Sequence, residues 1–308
     1  MSATATVPAR DPVSVALLCM VGGATAYALT PTFAKVAYDH GGSPLGLLAV
    51  RFPVAAALLL GVLAWRRRPR TVALGGRLLA ASVVVYCGQT LTFFEALDRM
   101  DAGPTSLILY LYPALVTGAG VLLLGQPLRA RAAVALPITL VGVALSIGLK
   151  GHPDPLGVAL AIASACFYAT YFLLVKAQLS RGAEPLELTA LVYAGAAVAY
   201  LALAAGTGAA DLPSGAGAWS AMAATILVST VASSLLTFSA LRHLPAPTAA
   251  MVATVEPVIA VACAAVALGE RPAPLQLAGG GLVLAALVLL ARDARLPQPI
   301  DSVRNSGC

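Results

Sequence analysis

Long apolar runs alternate with short polar connections along the whole chain. Ten such runs of roughly 20 residues each begin near Pro12, Pro44, Leu78, Gly103, Ala132, Pro155, Leu186, Ala216, Pro247 and Pro274. A helix of about 20 apolar residues crosses a hydrocarbon core about 30 Å thick. The connections are short and contain Gly, Pro and nearly all of the charged residues. The pattern predicts an all-α integral membrane protein with ten transmembrane helices and no soluble domain.

The composition agrees with this pattern. Of the 308 residues, 59% are apolar and only 10% are charged, which lies outside the range of soluble globular proteins. The first apolar run is too long for the hydrophobic region of a signal peptide, so we expect it to be retained as the first helix. The cysteines show no CxxC or metal-ligand spacing, which predicts that they are small core residues and that the protein holds no metal.

The basic residues fall mainly on one side of the predicted membrane. With the N-terminus in the cytoplasm, only Arg99, Lys150 and Arg271 of the basic residues in the connections face the opposite side. This positive-inside bias predicts a multi-pass protein of a bacterial inner (plasma) membrane with both termini cytoplasmic. The net charge of +6 is thereby explained by topology. We expect no nucleic-acid partner, and the run 66–68 is a candidate contact for anionic lipids.

The two halves of the chain repeat each other. With an offset of 141 residues, Tyr27 falls on Tyr168, and with an offset of 144, Pro113 falls on Pro257. Because each half holds five predicted spans, an odd number, the second half enters the membrane from the opposite side, which makes the repeat inverted. The predicted organisation is a cytoplasmic tail (1–11), a first five-helix repeat (12–150), a second, inverted repeat (151–292) and a second cytoplasmic tail (293–308).

Two stretches at matching positions resemble a known family. They run from Glu95-Ala96-Leu97 to Leu124-Gly125-Gln126, and from Ser239-Ala240-Leu241 to Leu268-Gly269-Glu270. With a proline inside the fourth helix of each half, they resemble the EamA branch of the drug/metabolite transporter (DMT) superfamily over essentially the whole chain. The resemblance implies a ten-helix inner-membrane transporter, usually an exporter of amino acids, metabolites or drugs. Gln126 departs from the pattern, because an acid is common at that position.

Glu256 is the residue most costly to place in a membrane. It lies about 14 Å along a helix from Pro247, near the middle of the bilayer, where an ionised acid costs about 3 kcal/mol. It could therefore bind a proton, act as counter-ion for an amine on the substrate, or stay protonated in a structural role. Tyr112, which precedes it by 144 residues, is expected to face it across the repeat. Proline breaks are predicted at Pro31, Pro113 and Pro257.

The third helix of each half carries a polar stripe. In the first half it consists of Tyr86, Gln89, Thr90 and Phe93, and the matching positions in the second half are Thr230, Ser233, Ser234 and Thr237. This spacing puts the side chains on one helical face and indicates a cavity wall. The alternative is that the hydroxyl groups bond to carbonyls of their own helix and permit close packing.

One charged position inside a helix completes the candidate site residues. Arg51 lies about 10 Å into the second helix, and its partner could be Glu95 or a carboxylate of the substrate. Glu270 and Arg271 fall at an outer helix end, where we expect them to be solvated.

These features favour a secondary transporter that works by alternating access. The function predicted is export of small metabolites, either coupled to protons through Glu256 or as uncoupled facilitated transport. An integral membrane enzyme or a scaffold acting on lipids is the alternative of another class. We find no P-loop and no nucleophile–base arrangement, so we expect neither enzymatic activity nor a cofactor. The expected partners are a small-molecule substrate, protons and membrane lipids; the glycines at 279–281 could contact a second copy in a homodimer or a neighbouring helix.

Overall fold

The computed structural model describes residues 12–66, 76–112, 114–116, 118–119, 130–147, 154–244, 249, 252–253 and 256–294. These residues contain helices and connections but no β-strand, which confirms the all-α prediction. The helices are α1 (Pro12–Ala28), α2 (Thr30–Tyr38), α3 (Pro44–Trp65), α4 (Gly76–Arg99), α5 (Ala102–Leu109), α6 (Ala130–Ile147), α7 (Pro155–Ser180), α8 (Pro185–Thr207), α9 (Ala216–Ala224), α10 (Ser233–His243), α11 (Glu256–Ala267) and α12 (Pro274–Ala294). A π-helical segment, Thr225–Ala232, joins α9 to α10.

Six helical stretches in the described part of the chain are long and apolar enough to cross a membrane. They are Val13–Tyr38, Pro44–Trp65, Gly76–Arg99, Pro155–Ser180, Pro185–Thr207 and Ala216–His243. Three shorter apolar helices, Ala102–Val116, Ala133–Gly142 and Pro274–Ala286, coincide with further predicted spans. The chain is therefore a multi-pass membrane protein, whereas the full count of ten spans stays a prediction.

The main helix contacts join the first part of the chain to the second. The pairs α1 with α10, α4 with α7, α3 with α8, and α6 with α12 make the most extensive contacts. Each pair combines one helix that precedes residue 150 with one that follows it. Neither half forms a separate bundle, and the core lies between them.

Glycines allow some of these pairs to approach closely. A Cβ atom added at Gly23 of α1 would lie 2.6 Å from Thr237 Oγ1 and 3.0 Å from the Ser233 carbonyl oxygen of α10. A Cβ atom at Gly142 of α6 would lie 2.8 Å from the Gly279 carbonyl oxygen of α12. Small residues at such contacts bring helix backbones together in a membrane. Gly279 therefore packs within the bundle, and the homodimer stays a prediction.

Two of the three predicted proline breaks fall among the described backbone positions. The helix is interrupted at Leu29, immediately before α2, and Pro31 occupies the first turn of α2. A proline there loses no helical hydrogen bond, because the first N–H groups of a helix have no partner within it. Pro257 is the second residue of α11, which begins at Glu256. Pro113 lies outside the described residues.

The end of α5 shows a further interruption. This helix ends at Leu109, and residues 110 and 111 form a turn. Both α5 and α11 thus have one end near residues that the sequence singles out, Tyr112 and Glu256 respectively.

Glu270 ties two helices together. Its carboxylate oxygens accept hydrogen bonds from the backbone N–H groups of Ala102, at 2.8 Å, and Gly103, at 3.1 Å. The Asp101 side chain, although at the N-cap position of α5, makes no capping hydrogen bond. Glu270 therefore supplies the cap from a distant part of the chain, and its charge complements the positive end of the helix dipole. The expectation that Glu270 is simply solvated was wrong.

Candidate solute-binding site

A small cavity lies in the interior of the bundle between α1, α4, α7, α10 and the start of α11. Its volume is about 30 Å³. The residues that line it are Met20, Ala24, Tyr27, Tyr86, Tyr168, Tyr171, Phe172, Val175, Ser233, Ser234, Thr237, Phe238, Ala253 and Glu256. A space of this size accommodates a water molecule, whereas pockets for small molecules measure about 300 Å³ or more. The helices must therefore move apart before a metabolite can enter.

Aromatic rings form much of the cavity wall. Tyr27 and Tyr168 are nearly parallel, with ring centroids 6.1 Å apart and planes 6° apart. The rings of Tyr86 and Tyr171 lie 4.6 Å apart between centroids. Faces of aromatic rings attract organic cations, and their hydroxyl groups offer hydrogen bonds. The wall is therefore suited to an amine as well as to apolar groups.

Glu256 is the acidic residue of this cavity. It is the first residue of α11 and is only 4% exposed. Its carboxyl group is hydrogen-bonded to the hydroxyl of Tyr110, at the end of α5. The carboxyl also lies close enough to interact electrostatically with the hydroxyl groups of Tyr27 and Tyr168. The cavity thus has one negatively charged or protonated end, set among tyrosines.

Tyr112 lies near Glu256, and that it faces the carboxyl group across the repeat stays a prediction. It is fully buried, its ring contacts Tyr168 at 4.5 Å between centroids, and its hydroxyl has no hydrogen-bond partner among the residues described. The hydrogen bond to Glu256 comes instead from Tyr110, two residues earlier. Sequence spacing alone did not identify Tyr110.

The polar stripe of α4 divides into three different environments. Tyr86 lines the cavity. Gln89 donates from Nε2 to Ser164 Oγ at 3.3 Å, whereas its Oε1 atom has no partner within the described ranges. Thr90 donates to the Tyr86 carbonyl oxygen of its own helix at 2.9 Å, and its hydroxyl lies 2.5 Å from that of Tyr200. Thr90 therefore belongs to helix packing, and Gln89 keeps unused hydrogen-bonding capacity.

Ser233 and Ser234 of α10 both line the cavity. Ser233 donates to the Ser229 carbonyl oxygen at 2.6 Å, within the same stretch of helix. The Ser234 hydroxyl is hydrogen-bonded to that of Tyr193 in α8. Both hydroxyl groups have protein partners, so a solute must compete with these bonds.

The π-helical segment before α10 was not predicted. In it Thr230 Oγ1 donates to the Thr225 carbonyl oxygen, five residues earlier, at 2.7 Å. Tyr193 donates to the Thr230 carbonyl oxygen at 3.1 Å. Wide helical turns of this kind occur frequently at functional sites. Here the wide turns place Thr230 next to Arg51.

Arg51 of α3 is fully buried. Its Nε donates to Thr230 Oγ1 at 2.6 Å, and its guanidinium carbon lies 5.2 Å from the ring centroids of both Phe52 and Phe94. Neither Nη1 nor Nη2 has a hydrogen-bond partner in the described part of the chain. The ion pair with Glu95 that the sequence left open is therefore not formed.

Metal chemistry has no candidate centre in the described residues. No group of three His, Cys, Asp or Glu side chains among them is arranged to hold a metal ion. Cys19, Cys87, Cys166 and Cys263 are free thiols. The chemistry available at the cavity is accordingly that of one carboxyl group, hydroxyl groups and aromatic faces.

Taken together, these features define a membrane protein with a central cavity between membrane-spanning helices. The sequence profile of the EamA-like transporter family matches residues 14–148 and again residues 155–292. The chain belongs to this family, and so to the membrane transporters of the DMT superfamily. The resemblance seen in the Ala-Leu, Pro and Leu-Gly motifs is thereby confirmed.

Two further comparisons agree with this assignment. The chain is 34% identical over 257 residues to Uncharacterized protein PA1977 of Pseudomonas aeruginosa. The aligned region covers 80% of this chain and 85% of that protein. One crystal structure of another protein matches the fold with a TM-score of 0.69 at 18% sequence identity, over 92% of this chain and 98% of the other. At that identity the second likeness concerns the fold alone.

Proposed function

We propose that this protein is a secondary transporter that exports small metabolites, either amino acids or related amines and drugs, in exchange for protons. The observation that carries the proposal is Glu256, a buried carboxyl group on the wall of the central cavity. Ionisable groups inside membrane proteins are costly, and they mark ion and substrate pathways. A cavity lined by aromatic rings and hydroxyl groups supplies the other contacts that a metabolite needs.

The inverted repeat supplies the means of alternating access. Three observations support it. The family profile matches each half separately, and Tyr27 and Tyr168, which the repeat superposes, stack on each other. The helix contacts also follow the repeat. If each helix is replaced by its counterpart in the other half, the α1–α10 pair becomes the α4–α7 pair, and the α3–α8 and α6–α12 pairs remain unchanged. In such an arrangement one half rocks against the other around a central site.

The helix interruptions are the places where this motion is accommodated. In the described residues they lie at Leu29 and at residues 110–111. The second adjoins the hydrogen bond between Tyr110 and Glu256, the first residue of α11. Protonation of the carboxyl group, or binding of a solute to it, therefore alters the packing of α5 against α11.

Coupling follows if a proton and the amine of the solute compete for Glu256. A proton bound from outside displaces the solute there, and a solute bound from the cytoplasm displaces the proton inside. The titratable or charged groups near the carboxyl are Tyr110, Tyr112, Tyr27 and Tyr168. Each ligand shifts the equilibrium between the inward-open and outward-open states only through its preference for one of them. Exchange is obligatory because Glu256 binds either the proton or the amine and never both at once.

Solute accumulation driven by a pH gradient tests the proposal. Wild-type protein and Glu256→Gln are reconstituted in vesicles, and pooled radiolabelled amino acids and amines are supplied with and without the gradient. Accumulation in wild type should depend on the gradient, and Glu256→Gln should lose that dependence. The matched control is Glu95→Gln, which removes one carboxylate from α4 outside the cavity lining and should keep it.

An uncoupled facilitative carrier is the second candidate. The burial of Glu256 favours it, because a protonated carboxyl group in an enclosed cavity is also a stable structural arrangement. In that case both Glu256→Gln and wild type equilibrate the solute at the same rate, with or without a pH gradient. That result would exclude proton coupling and retain transport.

A further inference from the structure

Arg51 is a buried cation whose hydrogen bonds are incomplete. Its side chain is 0% exposed, and among the described residues Nε alone of its guanidinium nitrogens has a partner, Thr230. An unpaired charge in the interior is expensive, and a buried polar group without a partner in a native protein calls for an explanation. Because Glu95 does not supply one, the partner of Nη1 and Nη2 must come from elsewhere.

Two aromatic rings pack against the guanidinium group, but they provide no hydrogen-bond acceptors for the N–H groups at its edge. Phe52 and Phe94 each lie 5.2 Å from the guanidinium carbon, a distance typical of cation–π contacts. Such contacts do not satisfy N–H groups. The hydrogen bond from Nε to Thr230 also fixes the orientation of the planar group, so the two free nitrogens form a preset fork.

Arg51 lies next to the wall of the central cavity. Thr230, which accepts the hydrogen bond from Nε, also accepts one from Tyr193 at its carbonyl oxygen, and Tyr193 is hydrogen-bonded to Ser234 of the cavity lining. The ring of Phe52 lies 5.5 Å from that of Tyr86, which also lines the cavity. Arg51 is therefore one layer of side chains away from the cavity that Glu256 lines.

We propose that Arg51 is an anion-binding residue of the central site, and that Nη1 and Nη2 hold a carboxylate of the transported solute. The fork of a guanidinium matches the two oxygens of a carboxylate, which is why arginine binds this group so well. The inference rests on the proposed transport function and adds the solute's charge pattern. Because Glu256 binds the amine, the site selects solutes that carry both an amino group and a carboxylate.

The test uses three solute pools with identical side chains: α-amino acids, the amines formed from them by decarboxylation, and the corresponding acids without the amino group. Vesicles hold wild type, Arg51→Gln or Arg51→Lys. The matched control is Arg99→Gln, which changes a partly exposed residue paired with Asp154 at 3.5 Å. Uptake gives KM and maximal rate for each pool, and thermal unfolding of each variant reports folding.

We expect wild type to prefer the α-amino acids, which carry both groups, to the two pools that carry only one of them. Arg51→Gln should raise KM for the two pools that carry a carboxylate by about tenfold or more, because a charge-assisted hydrogen bond is lost, and should leave KM for the amines unchanged. Arg51→Lys should recover part of the difference, since it keeps the charge without the fork. A structural role for Arg51 would instead lower the maximal rate for all pools together and reduce the unfolding temperature.

Two results would overturn the inference. If Arg51→Gln affects the amines as strongly as the carboxylates while wild type transports both, Arg51 does not bind the solute, and the transport function stands. If wild type moves none of the pools faster than protein-free vesicles, both the carboxylate assignment and the proposed metabolite export are wrong.

Discussion

Tyr110 and Tyr112 differ in what their hydroxyl groups do. Tyr110 is hydrogen-bonded to Glu256, whereas the hydroxyl of Tyr112 has no partner in the described portion of the chain. If Glu256 is the proton site, the two tyrosines should contribute unequally to the pH dependence of transport.

Tyr110→Phe should therefore shift the pH at which transport is half-maximal, since it removes the hydrogen bond to the carboxyl group. Tyr112→Phe removes the same atom from a neighbouring buried ring and should leave that pH unchanged. Transport measured over a pH series for both variants decides the matter, and equal shifts would assign Tyr112 the same role.

Glu270 gives a prediction on stability. Glu270→Ala removes both hydrogen bonds to the start of α5 and should cost about 1 kcal/mol, in the range of other helix caps. Glu270→Gln keeps an acceptor oxygen and should cost less. Thermal unfolding in detergent measures the difference, and an unchanged unfolding temperature in Glu270→Ala would show that the cap contributes little.

At the scale of helices, the close contact between α6 and α12 depends on Gly142. Gly142→Ala places a Cβ atom 2.8 Å from the Gly279 carbonyl oxygen, so the helices must separate, at a cost of about 1–3 kcal/mol. The control is Gly281→Ala on α12, because a Cβ atom there has no neighbour within 4 Å. A lower unfolding temperature in the first variant alone is the expected result. Similar values for the two would contradict this account of the packing.

Some elements could be predicted from the sequence because their causes are local. Apolar runs of sufficient length identified the six clear spans, and a proline in the chain identified the interruption before Pro31. The π-helical segment could not be predicted, since its sequence, Thr225–Ala232, reads as an ordinary apolar helix. Within it Thr230 contacts Arg51 and Tyr193, which come from other helices, and no local pattern encodes such contacts.

The candidate site shows the same limit. Depth in the membrane identified Glu256, and helical spacing identified Tyr86 and Ser234, all of which line the cavity. Spacing selected Tyr112 and did not single out Tyr110, which lies in the turn that follows α5. The cap by Glu270 joins positions far apart in the sequence, which no local pattern encodes.

At the scale of the whole molecule, the charge bias predicts the orientation in the membrane. Both termini should be cytoplasmic, because most basic residues then face that side. A green fluorescent protein fused to the C-terminus should fluoresce, and alkaline phosphatase fused there should be inactive. The reverse pattern would show that the predicted orientation is wrong.

The central claim is that solute and proton exchange through Glu256. The most direct measurement is the internal pH of vesicles that contain an entrapped pH dye, recorded while amino acids or amines are added to wild type and to Glu256→Gln. The account predicts proton movement that requires both the solute and Glu256. Solute transport without proton movement, at the same rate in both proteins, would contradict it.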